Sequence, residues 1–163
     1  MRHLHWFRTD LRLNDNPALA SHAAADSLLC LFLMPKPKPW CNLTGIGAQR
    51  DRFLRESLIE LRQELQALGQ DLLVLEGSPE LVIPHLVERY GITEVSVSDH
   101  PGWEERQSVA YLAGKLDIPI QIHRGNTLFT EADLPMPLED LPKVFSPFRL
   151  SLIHISEPTR QDR

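Results

Sequence analysis

Five short apolar runs, separated by stretches that carry helix signals, constrain this chain more than any other feature of it. The runs are Leu4–Phe7, Leu28–Met34, Leu72–Leu75, Val95–Val97 and Ile118–Ile122. Each has strand length, and the second and third are continuously apolar, as strands covered on both faces are. Asn16-Pro17 and Ser78-Pro79-Glu80 each set an N-capping side chain before a proline at the first helical position, which predicts two helix starts. Leu54, Leu58, Leu61, Leu65 and Leu68 recur at spacings of four and three between Ala48 and Leu68, lining one helical face, and Gly69 is placed to end it. A further helix from Glu80 to Tyr90 should bend at Pro84 and end at Gly91. Trp103–Leu116 reads as another, with Glu104 and Glu105 in a first turn whose dipole favours negative charge.

Strands that alternate with helices across short connections pair in parallel, because each return to the sheet is a right-handed crossover. The expected class is therefore α/β: a doubly wound, Rossmann-like, five-stranded parallel sheet of order 3-2-1-4-5 with helices on both faces. Such an order has a switch point between the first and fourth strands, and ligands of such sheets sit beyond the carboxyl ends of the strands there. In this chain that means the segments after Phe7 and after Ser98.

Composition narrows the function. The chain has 163 residues, 42% apolar and 24% charged, which suits one compact domain. A net charge of −5 without a basic stripe argues against autonomous binding to nucleic acid. Two cysteines, Cys30 and Cys41, are too few for a disulfide framework or a Cys-rich zinc site, so a reduced cytoplasmic protein is expected. Met1–Trp6 lacks the apolar core of a signal peptide and Leu28–Met34 falls far short of a membrane span, so no membrane association is expected. Pro35–Pro39 reads as an exposed, cationic, extended loop. After Gly125 the pattern weakens into Pro135-Met136-Pro137 and Leu141-Pro142, a connector, and the apolar stretch Val144–Phe148 needs a partner surface.

General catalytic signals are sparse. The chain has no G-x-x-x-x-G-K-S/T loop, no H-E-x-x-H and no G-x-S-x-G, and Gly45-Ile46-Gly47 supplies two glycines of a dinucleotide fingerprint with no strand directly before them. His3 and His5 alternate onto one face of the first strand, but no carboxylate or cysteine at ligand spacing accompanies them. A hydrogen-bonded structural role is expected for both, and no metal site. The informative cluster is Arg8, Asp10, Arg12 and Asp15, delivered to the carboxyl end of the first strand by Trp6 and Phe7. Charges this dense either form a salt-bridged turn that docks the first helix or meet a ligand.

Trp6-Phe7-Arg8-Thr9-Asp10-Leu11-Arg12-Leu13-Asn14-Asp15-Asn16-Pro17-Ala18-Leu19 resembles the W-F-R-x-D-L-R-x-x-D-N-x-x-L opening of the photolyase and cryptochrome family. Thr44–Leu58 is similar to a loop and helix of the DASH-type cryptochromes, and Pro142–Arg149 resembles the stretch where such proteins leave their first domain. The resemblance implies an N-terminal α/β antenna domain over residues 1–125 and the start of an interdomain linker over 126–149. It implies a parent that is a blue-light flavoprotein, a deoxyribodipyrimidine photolyase, in which FAD lies in a C-terminal helical domain. There, light-driven electron transfer splits cyclobutane pyrimidine dimers, preferentially in single-stranded DNA. The first domain alone is expected neither to bind FAD nor to catalyse.

The resemblance further implies a methenyltetrahydrofolate antenna. The family's N-E-R context aligns with Glu104-Glu105-Arg106, so that Glu105 would accept from the pterin N–H donors, Glu104 standing where the family has asparagine. The expected cofactor-binding residues are Glu105, Glu104, Arg8 and Asp10; without the resemblance, Glu105 reads as an exposed carboxylate at a helix start. From Leu150 the likeness stops. Leu150–Arg160 looks like translated sequencing-adapter sequence, which makes 150–163 a non-native tail of a truncated reading frame, the alternative being a genuine short terminal strand. Two other readings of the whole remain: a cryptochrome photoreceptor without repair, and a stand-alone nucleotide-binding α/β module.

Overall fold

The computed structural model describes residues 1–35, 45–125 and 133–156; Pro35 aside, the proline-lysine loop lies outside them, as do Cys41 and the end of the tail. The chain divides into two compact units, Met1–Asn126 and Thr127–Arg163.

The first unit is built on strands β1 (Arg2–Phe7), β2 (Ser27–Met34), β3 (Leu72–Glu76), β4 (Glu94–Ser98) and β5 (Ile120–His123). They form one parallel sheet of order β3-β2-β1-β4-β5, the order expected. Four helices connect them: α1 (Pro17–Ala20), α2 (Ala48–Ala67), α3 (Pro79–Tyr90) and α4 (Trp103–Lys115). In β1, Leu4 and Trp6 point to one face and His3, His5 and Phe7 to the other, as a period of two dictates. Leu4 and Trp6 join Leu31, Leu33, Val95 and Val97 under Ile83 and Leu86 of α3 and Val109 and Leu112 of α4. Phe7 joins Cys30, Phe32 and Leu72 under the Leu58, Leu61 and Leu65 stripe of α2. Each leucine of that stripe contributes about 2 kcal/mol by leaving water.

Helix ends follow the local chemistry with one exception. Asn16 caps α1, its side chain accepting from Leu19 N–H at 3.1 Å. Gly91 ends α3 in the left-handed region at φ 61°, which lets Ile92 N–H reach back to the Val87 carbonyl at 3.1 Å. Ser78 does not cap α3, although Pro79 starts the helix as expected. Its hydroxyl donates to the Glu80 carboxylate, a stronger acceptor two residues away.

Two strand expectations need correcting. β3 is covered on both faces only in part: Leu72 joins the cluster under α2 and Leu73 and Leu75 pack against the opposite one, but at the sheet edge Val74 stays 39% exposed. β5 begins at Ile120 rather than Ile118, since Pro119 has no N–H to give a ladder; its carbonyl accepts from Val95 instead.

In the second unit, a 3-10 turn at Leu138–Asp140 precedes α5 (Phe145–Ser156), so the stretch across Leu150 is helical and not a strand. Val144, Phe145 and Leu150 are exposed. Among the described residues no helix is long and apolar enough to cross a membrane.

Cys30 is fully buried, and burial pushes its thiol up to about 11. With Cys41 replaced by serine, the native chain should therefore resist thiol reagents at mildly alkaline pH, reacting only as fast as it opens. Rapid stoichiometric labelling without denaturant would contradict this packing.

Candidate functional site

β1 and β4 are neighbours that leave the sheet in opposite directions, α1 on one face and α4 on the other, so their carboxyl ends open the crevice expected at the switch point. The chain after β1 is held by Asp10, only 5% exposed. Its Oδ1 accepts from Arg8 N–H at 3.1 Å, and its Oδ2 from Asn16 Nδ2 at 3.4 Å and from the Ser98 hydroxyl at the end of β4. One carboxylate thus ties the exit of β1 to the cap of α1 and to β4. Arg12 stays within the turn, its Nε and Nη2 donating to the Asp15 carbonyl at 3.1 and 2.8 Å, with Asp15 at φ 50°.

Arg8 is half-buried, with its guanidinium 5.0 Å from the centre of the Trp6 ring. Burial lowers its pKa, opposed by the negative charges of Glu105, Asp10 and Asp99. That set defines the electrostatics of the crevice: one guanidinium facing carboxylates from three segments.

Glu105 sits in the first turn of α4, its side chain 42% exposed and its Oε2 3.7 Å from His100 Nδ1. The carboxylate folds back over Gly102 and leaves no room there for a Cβ. Gly102 N–H donates to His100 Nδ1 at 3.0 Å, and Arg106 ties the loop down by donating to the His100 carbonyl at 2.9 Å and to Asp99 at 3.2 Å. Of the four residues expected to bind a cofactor, Arg8, Asp10 and Glu105 converge on this edge, with Asp10's oxygens taken by protein donors. Glu104 is exposed. Sequence reasoning passed over Trp103, 74% exposed at the start of α4; a tryptophan opening a helix just past a switch-point strand was the available signal.

A second polar group lies lower in the sheet, on the side covered by α1. Ser96 donates its one proton to the Ala18 carbonyl at 3.0 Å, and its Oγ meets His5 Nδ1 at 2.8 Å and His22 Nε2. His22 Nδ1 lies 3.0 Å from His3 Nδ1, which is 3.8 Å from Glu94 Oε1. The structural role expected for His5 is seen in its bond to Ser96. The carboxylate missing from His3's sequence neighbourhood is supplied across the sheet, since His3 and Glu94 are register partners.

Comparison with known proteins gives the site its context. A family model described as DNA photolyase matches residues 3–161. Cryptochrome DASH of Idiomarina loihiensis is 36% identical over 148 residues, and that of Gloeobacter violaceus 38% over 152, each match covering 88% of this chain. These alignments take in 33% and 30% of the two relatives, so the chain spans about a third of their length. Cryptochrome-2 of Gallus gallus is 35% identical over 133 residues, 78% of this chain and 22% of that protein. Among solved structures, the Synechocystis sp. PCC6803 cryptochrome superposes with a TM-score of 0.87 at 29% identity, covering 94% of this chain and 34% of that one. A class III photolyase from Agrobacterium tumefaciens shares the fold, with a TM-score of 0.79 at 22% identity over 93% of this chain and 31% of that one.

Proposed function

Because the chain belongs to the DNA photolyase family and carries a DASH-like N-terminal α/β domain, we propose that it is the antenna-pigment domain of a blue-light flavoprotein, with methenyltetrahydrofolate at the carboxyl edge of its sheet. The residues at that edge suit a folate. Glu105 offers a carboxylate that can accept two adjacent N–H donors of a pterin, Trp103 a flat exposed indole, and Arg8 a guanidinium for an anionic tail. When bound, the pigment supplies blue-light absorption. The chain's own residues bind and orient it: Gly102 leaves space for the Glu105 carboxylate, and Asp10 fixes the backbone from which Arg8 projects. Glu104 would act through its charge near the ring rather than by enclosing it.

In the same reading the parent carries FAD in a C-terminal helical domain and repairs cyclobutane pyrimidine dimers by light-driven electron transfer, favouring single-stranded DNA. Neither FAD binding nor repair is assigned to a residue of this chain. The names of the relatives favour a second reading, a cryptochrome photoreceptor without repair. A longer gene product that binds flavin and opens dimers under blue light supports repair; bound flavin without dimer opening supports the photoreceptor.

The observation that carries the antenna reading is the half-buried Glu105 carboxylate seated over Gly102, within electrostatic reach of Arg8. Its test is to add methenyltetrahydrofolate to the chain and to Glu105→Gln and follow pigment fluorescence. Losing a charge-assisted hydrogen bond of about 1.5–3 kcal/mol should weaken binding by at least about tenfold. Equal affinity in the two proteins, or none in either, overturns it.

A further inference from the structure

At the opposite end of the sheet from the antenna edge, we infer that His3, His22 and Glu94 form a binding site for a first-row divalent cation of the zinc type. The three side chains come from β1, the turn after α1 and the start of β4, and each offers one ligand atom, all within 4.8 Å of one another. His3 and His22 are buried, while Glu94, its side chain 23% exposed, leaves a route from solvent.

The hydrogen bonds around the site set its protonation. Ser96 spends its proton on the Ala18 carbonyl, so toward His5 and His22 it can only accept. His22 must therefore carry its proton on Nε2, and its Nδ1 presents a lone pair toward His3 Nδ1, whose proton would pass to His3 Nε2 when a cation takes its place. A metal-binding imidazole has this arrangement, with the far nitrogen donating to an oxygen that fixes tautomer and ring orientation. Ser96 is thus the positioning residue for His22.

Spacing and donor type agree. Ligand atoms about 2.0–2.1 Å from a tetrahedral zinc lie about 3.3–3.4 Å apart. Two edges of this triangle, 3.0 Å between the imidazoles and 3.8 Å from His3 to Glu94, straddle that value. Two imidazoles and a carboxylate suit zinc or cobalt and leave a fourth position for water. The other histidines nearby do not complete the set. His5 turns its Nδ1 to Ser96, and its Nε2, like that of His123, is buried without a hydrogen-bond partner.

The test is to strip the chain with chelator and titrate it with Zn2+ by calorimetry and with Co2+ by visible absorption. Copper and nickel are avoided because a free terminus with histidine third takes them through deprotonated amides in square-planar form. One equivalent should bind, with the strong absorption of low-coordinate cobalt. Glu94→Gln, which keeps size and strand position, and His22→Gln should each weaken binding by more than about 100-fold, beyond the roughly 10–100-fold that losing an outer partner costs. His85→Gln, on the exposed side of α3, should bind as the parent does. Absence of binding in the unaltered chain overturns the inference whatever the variants do. So does unchanged affinity in a Glu94→Gln protein with native circular dichroism.

Discussion

Asp10→Ala should destabilise the chain by about 3 kcal/mol, the largest effect expected of any single change at the sheet's carboxyl edge. The carboxylate holds three donors at a site 5% exposed: Arg8 N–H, Asn16 Nδ2 and the Ser98 hydroxyl. Each donor left buried without an acceptor costs about 1–3 kcal/mol, and relief of the carboxylate's own desolvation returns part of the sum. For a domain of this size that corresponds to a fall in Tm of about 10 °C. Asp10→Asn keeps one acceptor oxygen and should lose less than half as much. Urea unfolding of the three proteins measures it. A loss under about 1 kcal/mol for the alanine variant would mean that water replaces the carboxylate, so that Asp10 is free to serve a ligand directly.

Acid should weaken the fold well before most carboxylates titrate. His5 is held down to about 4 by burial, with His22 and His123 adding repulsion and Asp10 opposing it; His22 is held down to about 4 by burial, with His3 and His123 adding to it. In the unfolded chain both titrate near 6.5. The direction follows from linkage. Between these values the unfolded state binds more protons than the native one, so stability is full above pH 6.5 and falls as pH drops toward 4. A pKa gap of this size in two coupled groups, one of them less deeply buried, corresponds to a loss of about 3 kcal/mol across that window. The measurement is urea unfolding of chelator-treated protein at a series of pH values. Stability that stays flat down to pH 4.5 would show that the imidazoles take up protons inside the folded sheet.

Most of the fold was legible because parallel sheets write themselves plainly. Strands with covers on both sides become apolar runs, and the helices between them announce their starts with Asn16-Pro17 and Pro79 and their stops with Gly69 and Gly91. What was not legible depends on neighbours that a linear reading lacks. The run Leu72–Leu75 looks the same whether one face or both are covered, and only its place at the sheet edge exposes Val74. Ser78 reads as a cap until Glu80 competes for its hydroxyl. At the carboxyl edge of the sheet, Arg8, Asp10 and Glu105 could be brought together from the sequence because the switch point places the ends of β1 and β4 side by side. The histidine cluster could not, because its members stand 19 and 91 positions from their partners and meet only through strand register and the turn after α1. His5 and His22 share Ser96, a residue with no signature of its own.

The brevity of α1 has a consequence of its own. A helix of four residues cannot hold itself together, and it borrows its order from Asn16, from Asp10 and from the strands beneath. Below it lie the imidazoles; α2, five turns long, clamps the leucine half of the same face. The sheet is therefore armoured unevenly. Lifting a single turn of chain would wet the nitrogen-rich half while the hydrocarbon half stays dry.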